Sequence, residues 1–524
     1  MMQVTPGMDD ILNLDVSFDS NVVDQIQMQR LLQQLQHVVA QLQKNRETKL
    51  QDIEVISPQD NKEILAWNKQ PTIYPLQRSC IHDLVQRHAL QRPDAVAVVS
   101  WDGELSYSQL DKLSARLAHH LISCKVGPEV IIPLCFEKSV WTIVGLLAVL
   151  KAGGAFILLD PGHPDERLRT IIRELDAPFL LTSAEVALKF TDIETITVCE
   201  QLFASIPDAS GNPATTVGPD NLACVVFTSG STGAPKGICL SHYAICTSSQ
   251  GHGPGLNVTK ESRVFQFCSY AFDMAVYDIV TTLQMGGCIL VPSEEEKLNR
   301  LAETMTSMRA NWVFLTPSTL SLLSRDDVPT IETLVTGGEA VSQAIVDEWA
   351  DKITLFQCSG PAETTTCIFG KMTPYTKKNS LGFPMIPAWI VDPLDHNVLL
   401  PIGAIGEMIL EGHTLARGYL NKASDSWIED PIWSQGQSQQ FHDLGRQRRM
   451  YKTGDLVQYD SNGRLAFIGR KDNQVKLRGQ RIEMSEVEDA IRSVTSISFP
   501  FQLNCFLSSS MGNLKETTTD SLSE

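Results

Sequence analysis

Between about residue 75 and residue 470 two spacings of apolar positions alternate along the chain. Stretches such as "YSQLDKLSARLAHHLI" repeat apolar residues every three to four positions, the period of a helix with one buried face. Between them lie short β-rich runs, "VIIPLCF", "AFILL", "ACVVF", "CILV", "WVFL" and "ETLVTGG". Strands that alternate with helices predict an α/β architecture with largely parallel sheets. The pattern changes at 385–468, where "AWIVDP", "GEMILEG", "LVQYD" and "RLAFIG" are split by Gly, Pro and Asp. That spacing predicts a more antiparallel, barrel-like portion. No internal repeat is evident.

The flanks read differently. Residues 1–20 read as acidic and irregular. In 21–43, Val22, Val23, Ile26, Leu31, Leu32, Leu35, Val38, Val39 and Leu42 mark one face of an amphipathic helix whose other face is rich in Gln. Such a helix either packs on a neighbouring domain or self-associates as a coiled coil. A polar segment, 44–72, has Pro58 and Pro71 as breakers. After 470, Ser485 and Glu488 form a capping-box pattern. Beyond Val494 no period remains, and the Ser/Thr-rich end reads as a poorly ordered tail.

Composition narrows the class. The 524 residues are 43% hydrophobic and 20% charged, and the length suits two or three domains. The net charge of −18, with no long basic cluster, argues against nucleic acid as a partner. "VWTIVGLLAVLKAGGAFILLD" is the longest apolar run, but Lys151 and two glycines interrupt it and Asp160-Pro161 ends it. It predicts a buried helix, a turn and a buried strand, not a bilayer span. No signal-peptide pattern opens the chain, and the 12 cysteines are scattered without a Cys-x-x-Cys pair. The expectation is a cytoplasmic protein with few disulfides and no membrane association.

The chemistry concentrates at 225–242, "VVFTSGSTGAPKGICLSH". An apolar strand runs into Thr228, Ser229, Gly230, Ser231, Thr232 and Gly233, with Lys236 and Gly237 following Pro235. Gly230, Gly233 and Gly237 admit close backbone approach and positive φ, the hydroxyls donate, and Lys236 is a point charge suited to phosphate. This is a polyphosphate cradle, though not a Walker loop, because the lysine lies between proline and glycine.

"FTSGSTGAPKG" resembles the phosphate loop of the adenylate-forming (AMP-binding) enzymes, whose members include acyl-CoA ligases, luciferases and the adenylation domains of nonribosomal peptide synthetases. "LSYSQLDKLSARLAHHL" (105–121), "LKAGGAFILLDPGHPDERL" (150–168), "YAFDMAVYDI" (270–279), "GEMILEGHTLARGYL" (406–420) and "YKTGDLVQYDSNGRLAFIGRKDNQVKLRGQRIE" (451–483) resemble the core motifs of the last group, in order. The resemblance covers about 75–494. It implies a large adenylate-forming α/β core at 73–470 and the start of a small C-terminal subdomain at 471–494, with an atypical tail at 495–524. Residues 1–72 resemble the end of a condensation domain and a linker, "ISPQDNKEILAWN" looking like the connector.

By the same resemblance the chain activates an amino acid with ATP and Mg²⁺ for a phosphopantetheinyl carrier domain. Lys236 and the hydroxyl loop take the β/γ-phosphates, and Glu363 in "CSGPAETT" binds Mg²⁺, which prefers hard oxygen ligands. Gly338 and Glu339 line the adenine, Asp455 holds the ribose hydroxyls, Arg470 lies near ribose and phosphate, and Asp472 is the hinge. Asp273 grips the substrate ammonium, an expected charge-assisted bond. Met274, Tyr277, Phe314, Val335, Gly337, Cys358, Thr366 and Cys367 complete a pocket without charge. Such a pocket is expected to take a neutral, hydrophobic or aromatic amino acid, with Gly337 leaving room at one wall.

The chain departs from the family at Gln357 and Ser359, where an Asn and an aromatic stacking residue are usual, and at Ala362, usually Thr. The family's second lysine, which bridges substrate carboxylate and phosphate, has no match after Lys476. Lys515 lies in a different context, and no carrier motif follows. Two other readings stay open on the sequence. One is a stand-alone acyl-CoA-ligase-like enzyme, against which Asp273 argues. The other is a catalytically impaired remnant of a synthetase.

Overall fold

A computed structural model describes residues 2–6, 12–20, 22–44, 47, 49–69, 76–208, 211–228, 235–365, 367–377, 379–437, 448–472, 474–477, 480–483 and 487. Among these, the alternation read from the sequence becomes two sheets. The smaller has seven strands in the order Gly418–Tyr419, Lys236–Ser241, Leu222–Thr228, Ala155–Leu159, Ile131–Cys135, Leu180–Thr182 and Thr195–Thr197. The four from Ala155–Leu159 onward pair parallel with one another, and Lys236–Ser241 returns antiparallel on Leu222–Thr228.

The larger sheet is parallel from Val96–Ser100 through Cys288–Val291, Arg263–Phe265, Trp312–Leu315 and Thr333–Gly337 to Thr354–Ser359. It then turns antiparallel through Ile368–Lys371 and Ser380–Pro384. Ser380–Pro384 pairs with Leu465–Arg470, which joins Arg449–Tyr459, Gly406–Glu411 and Ala388–Val391. The antiparallel portion expected at 385–468 therefore continues the edge of the larger sheet.

Local sequence explains the elements between. Tyr107–Ser123 opens on a capping box in which Ser106 and Gln109 exchange hydrogen bonds. Truncating such a cap costs about 1 kcal/mol. Val140–Lys151 is buried on almost every face and leads through Gly153 into the buried strand Ala155–Leu159. That matches a helix and strand sandwiched between layers. No helix among the described residues is long and apolar enough to cross a membrane. The eleven described cysteines carry free thiols.

The N-terminal segment departs from its sequence reading twice. Met2–Pro6 and Leu12–Val16 form an antiparallel hairpin where irregular chain was expected. The alternation Leu12, Leu14, Val16 is the short period-2 signal that carries it. Pro58 does not break a helix but begins one, Pro58–Lys69, at the position where proline has no N–H to lose.

The amphipathic helix forms as Gln25–Lys44. Its buried Arg30 donates to Asp60 at 2.8 Å and to Glu63 at 2.7 Å, and Gln34 reaches the Ile402 carbonyl at 3.0 Å. The helix thus meets the rest of the chain through Arg30 and Gln34, while Ile26, Leu31, Leu35, Val39 and Leu42 of the expected apolar face are exposed. The Ser485–Glu488 capping box and the tail 495–524 lie outside the described residues.

Candidate active site

The strand ends of the two sheets border one large cavity of about 2090 Å³. Thr228, at the end of its strand, lines it from the smaller sheet. From the larger sheet come Phe314, Gly337, Gly338, Cys358 and Ser359, and from the helix Asp273–Met285 come Asp273 and Met274. Loops outside strand ends are where open α/β folds gather ligands.

Asp273 is the first residue of its helix, and its Oδ1 accepts the Met274 N–H at 2.8 Å. The carboxylate is partly exposed at the cavity wall among apolar neighbours. Phe314 and Cys358 are buried at 4% and 5% exposure and present their edges to the same space.

Not every expected pocket residue faces the cavity. Tyr277, Val335 and Cys367 are buried and do not line it. Burial first, and then the nearby Asp273 and Glu363 charges, raise the pKa of the Tyr277 phenol well above the usual value. Gly337 leaves no empty room at the wall: a Cβ there would meet the Cys358 carbonyl at 2.4 Å. The missing side chain lets two strands approach closely. Thr366 lies outside the described residues, as do Ser229, Gly230, Ser231, Thr232 and Gly233.

Beside the cavity Lys236, Tyr419 and Glu363 stand together. Lys236 begins its strand opposite Thr228, with its ammonium 5.6 Å from the centre of the Tyr419 ring. The Tyr419 hydroxyl donates to Glu363 Oε1 at 2.8 Å. Glu363 sits in the short turn Ala362–Thr364 at 1% exposure, and its carbonyl accepts the Ala416 N–H at 2.7 Å. Thr365 follows at φ 64°, a rare conformation for a β-branched residue.

Gly237 supports this corner by compactness, not by a positive φ. A Cβ on it would meet Phe227 at 3.0 Å and Leu420 at 3.2 Å. Tyr419 lies in the motif at 406–420 but is not among the expected site residues. Its importance comes from the pairing Ile238↔Tyr419, which brings chain separated by some 180 residues beside Lys236.

A third group lies on the antiparallel portion. Asp455 and Arg470 are cross-strand partners, and Arg470 Nη1 donates to Asp455 at 2.7 Å and to the Thr453 carbonyl at 2.8 Å. The same guanidinium grips Asp472 with two bonds, 2.8 and 2.6 Å. Burial works against the Arg470 charge, but the two carboxylates outweigh it and raise its pKa further. Glu339, the expected adenine neighbour, accepts the Ser318 N–H and hydroxyl at 3.0 and 2.6 Å. Gly338 beside it has φ 83°, a position that favours glycine.

Comparison with known proteins agrees with this architecture. Residues 85–420 match the model of the AMP-binding enzyme family, and the chain belongs to that family. Its relatives there include nonribosomal peptide synthetases. It is 42% identical over 493 residues to the N-benzoylphenylalaninol synthetase apmA of Penicillium brevicompactum, which takes in 93% of this chain and 20% of that protein. It is 41% identical over 486 residues to the nonribosomal peptide synthetase TES of Alternaria alternata, 91% of this chain and 9% of that protein. The chain thus spans a fifth or less of these relatives.

Among solved structures it resembles FmoA3 (S1046A) in its α-methyl-L-serine-AMP bound form, with a TM-score of 0.77, 21% identity and coverage of 93% and 55% of the two chains. It also resembles holo-PA1221, an NRPS protein containing adenylation and PCP domains bound to a vinylsulfonamide inhibitor. There the TM-score is 0.68 at 25% identity, covering 79% of this chain and 72% of that one.

Proposed function

We propose that the chain activates a neutral, hydrophobic or aromatic amino acid with ATP, releasing pyrophosphate and forming an aminoacyl-adenylate for a phosphopantetheinyl carrier domain. The observation that carries this reading is the placement of Asp273. Its carboxylate stands on the cavity wall beside Met274, in the same cavity that receives Phe314, Cys358 and the end of the phosphate-loop strand at Thr228, while Asp160, Glu303, Lys297 and Arg300 line other parts of it. A substrate ammonium paired with Asp273 leaves its side chain among Met274, Phe314 and Cys358. The relative from Penicillium brevicompactum is named for an aromatic product, N-benzoylphenylalaninol, which agrees with such a pocket.

In this reading Lys236 and the loop 228–233 hold the β/γ-phosphates, Gly338 and Glu339 border the adenine, and Asp455 and Arg470 hold the ribose. Glu363 fits a Mg²⁺ ion as a lone hard carboxylate: no group of three ligand-type side chains surrounds it among the described residues. That is the sparse protein coordination Mg²⁺ tolerates when phosphate and water fill its octahedron. The ion would supply charge neutralisation on the phosphates as the substrate carboxylate attacks. Ser359, in place of an aromatic ring, leaves adenine to be held by the backbone and polar neighbours.

The test is exchange of labelled pyrophosphate into ATP across a panel of amino acids. Exchange with one or a few apolar or aromatic amino acids is expected. Exchange with a fatty acid alone would overturn the reading in favour of an acyl-CoA-ligase-like activity.

A further inference from the structure

We propose that Lys138, which does not touch the cavity, is a positioning residue that fixes the wall carrying Ser269, Phe272 and Asp273. Lys138 lies in the loop between the strand Ile131–Cys135 and the helix Val140–Lys151, at 3% exposure. Its ammonium donates to three successive backbone carbonyls, Gln266 at 2.6 Å, Phe267 at 2.9 Å and Cys268 at 2.8 Å. An ammonium has three protons, and here each has one acceptor.

Those carbonyls lie just past the end of the strand Arg263–Phe265, where the chain leaves the sheet and the ladder no longer serves them. From that point Phe267 through Met274, apart from Tyr270, lines the cavity. Ser269 hydrogen-bonds Asp160 across it, and the Ala271 N–H returns to the Ser269 hydroxyl at 3.2 Å. The lysine therefore gathers the root of the wall whose tip is Asp273.

The anchor is itself held. The Trp101 indole donates to the Lys138 carbonyl at 2.6 Å. Asp102 accepts from the Ser139 hydroxyl at 2.6 Å and from the Val140 N–H at 3.0 Å, fixing the start of the next helix. No described salt bridge involves Lys138; its charge is held by the three carbonyls, with the Tyr270 ring 5.8 Å away and the Glu294 and Asp278 charges at longer range. A buried ammonium without a paired carboxylate is costly. Burial draws its pKa down to about 7. A methionine would fill the same space without that cost but would take the ammonium donor from the Gln266 and Phe267 carbonyls, while Cys268 would keep only the Gln266 side-chain amide at 2.8 Å.

The test compares Lys138→Met and Lys138→Gln in the full chain by hydrogen exchange and by pyrophosphate exchange. The kinetic arm rests on the amino-acid reading above; the hydrogen-exchange arm does not. In Lys138→Met the amides of 266–273 are expected to exchange faster while those of 333–337 keep their rate. The KM for the amino acid should rise about tenfold or more, with kcat and the KM for ATP within about twofold, since only the wall has lost bonds. Lys138→Gln, which keeps a donor, should show the same pattern to a smaller degree.

Unchanged protection of 266–273, protection lost evenly through the chain, failure of both variants to fold, or parallel rises in both KM values would each overturn the proposal. If the parent chain shows no amino-acid-dependent exchange, the functional reading fails, and the hydrogen-exchange pattern alone decides the role of Lys138.

Discussion

The cavity wall and the charged corner beside it solve opposite problems. At the wall, Phe314, Met274 and Cys358 set the Asp273 carboxylate beside mostly apolar surface. At the corner every charge already has company. Lys236 lies over Tyr419, Tyr419 donates to Glu363, and Arg470 is shared between Asp455 and Asp472. The apolar part of a wall can be ready-made, because hydrocarbon surface needs no partner before the ligand arrives. A cluster of ions cannot stay buried and unpaired, so its members hold one another until something better displaces them. The wall should therefore set which substrate enters, and the corner how fast it reacts.

Substitutions can break this division. The largest effect is expected at the corner. Glu363→Gln and Lys236→Ala should each lower kcat for pyrophosphate exchange by about 10²–10³-fold, the range for removing one preorganised electrostatic group. An unchanged kcat in either would remove that residue from the site. Next comes Asp273→Asn, predicted to raise the KM for the amino acid by about 10–10²-fold, the scale of one lost charge-assisted bond. The KM for ATP should stay put, and a parallel rise would dissolve the contrast between wall and corner.

Smaller effects sharpen the picture. Gly337→Ala should destabilise the fold by about 1–3 kcal/mol, because the new Cβ has to push the Cys358 backbone aside. Thermal unfolding measures that loss. A variant of full stability that merely prefers smaller substrates would instead mean that Gly337 provides room for the ligand. Tyr419→Phe is expected to cost several-fold in kcat, about 1 kcal/mol for one hydroxyl bond to Glu363. Substrate preference should be unaltered.

Much of the architecture was legible because it is written locally. "CILV" and "WVFL" became the buried strands Cys288–Val291 and Trp312–Leu315, and the run at 140–159 became a buried helix, turn and strand. The hairpin at the N-terminus was missed because its alternation spans only five residues among acidic neighbours. Pro58 was misread because proline breaks a helix only in its interior.

In the site, candidate residues were legible where they sit on a motif, as at Asp273 or Glu363. They were not legible where they depend on pairing across the fold. Nothing near Tyr419 or Lys138 announces that one will lie by Lys236 and the other under Gln266. Nor does the sequence show that Tyr277, Val335 and Cys367 lie behind the wall instead of on it.

Arg470 spends two of its donors on Asp472 and a third nitrogen on Asp455 and the Thr453 carbonyl. Turning the backbone at 472 therefore means opening a two-pronged clasp, and the released guanidinium has only the Asp455 side left to hold it. Any movement of Asp472 and the hold on the Asp455 carboxylate share one cation, so neither can change without being felt by the other.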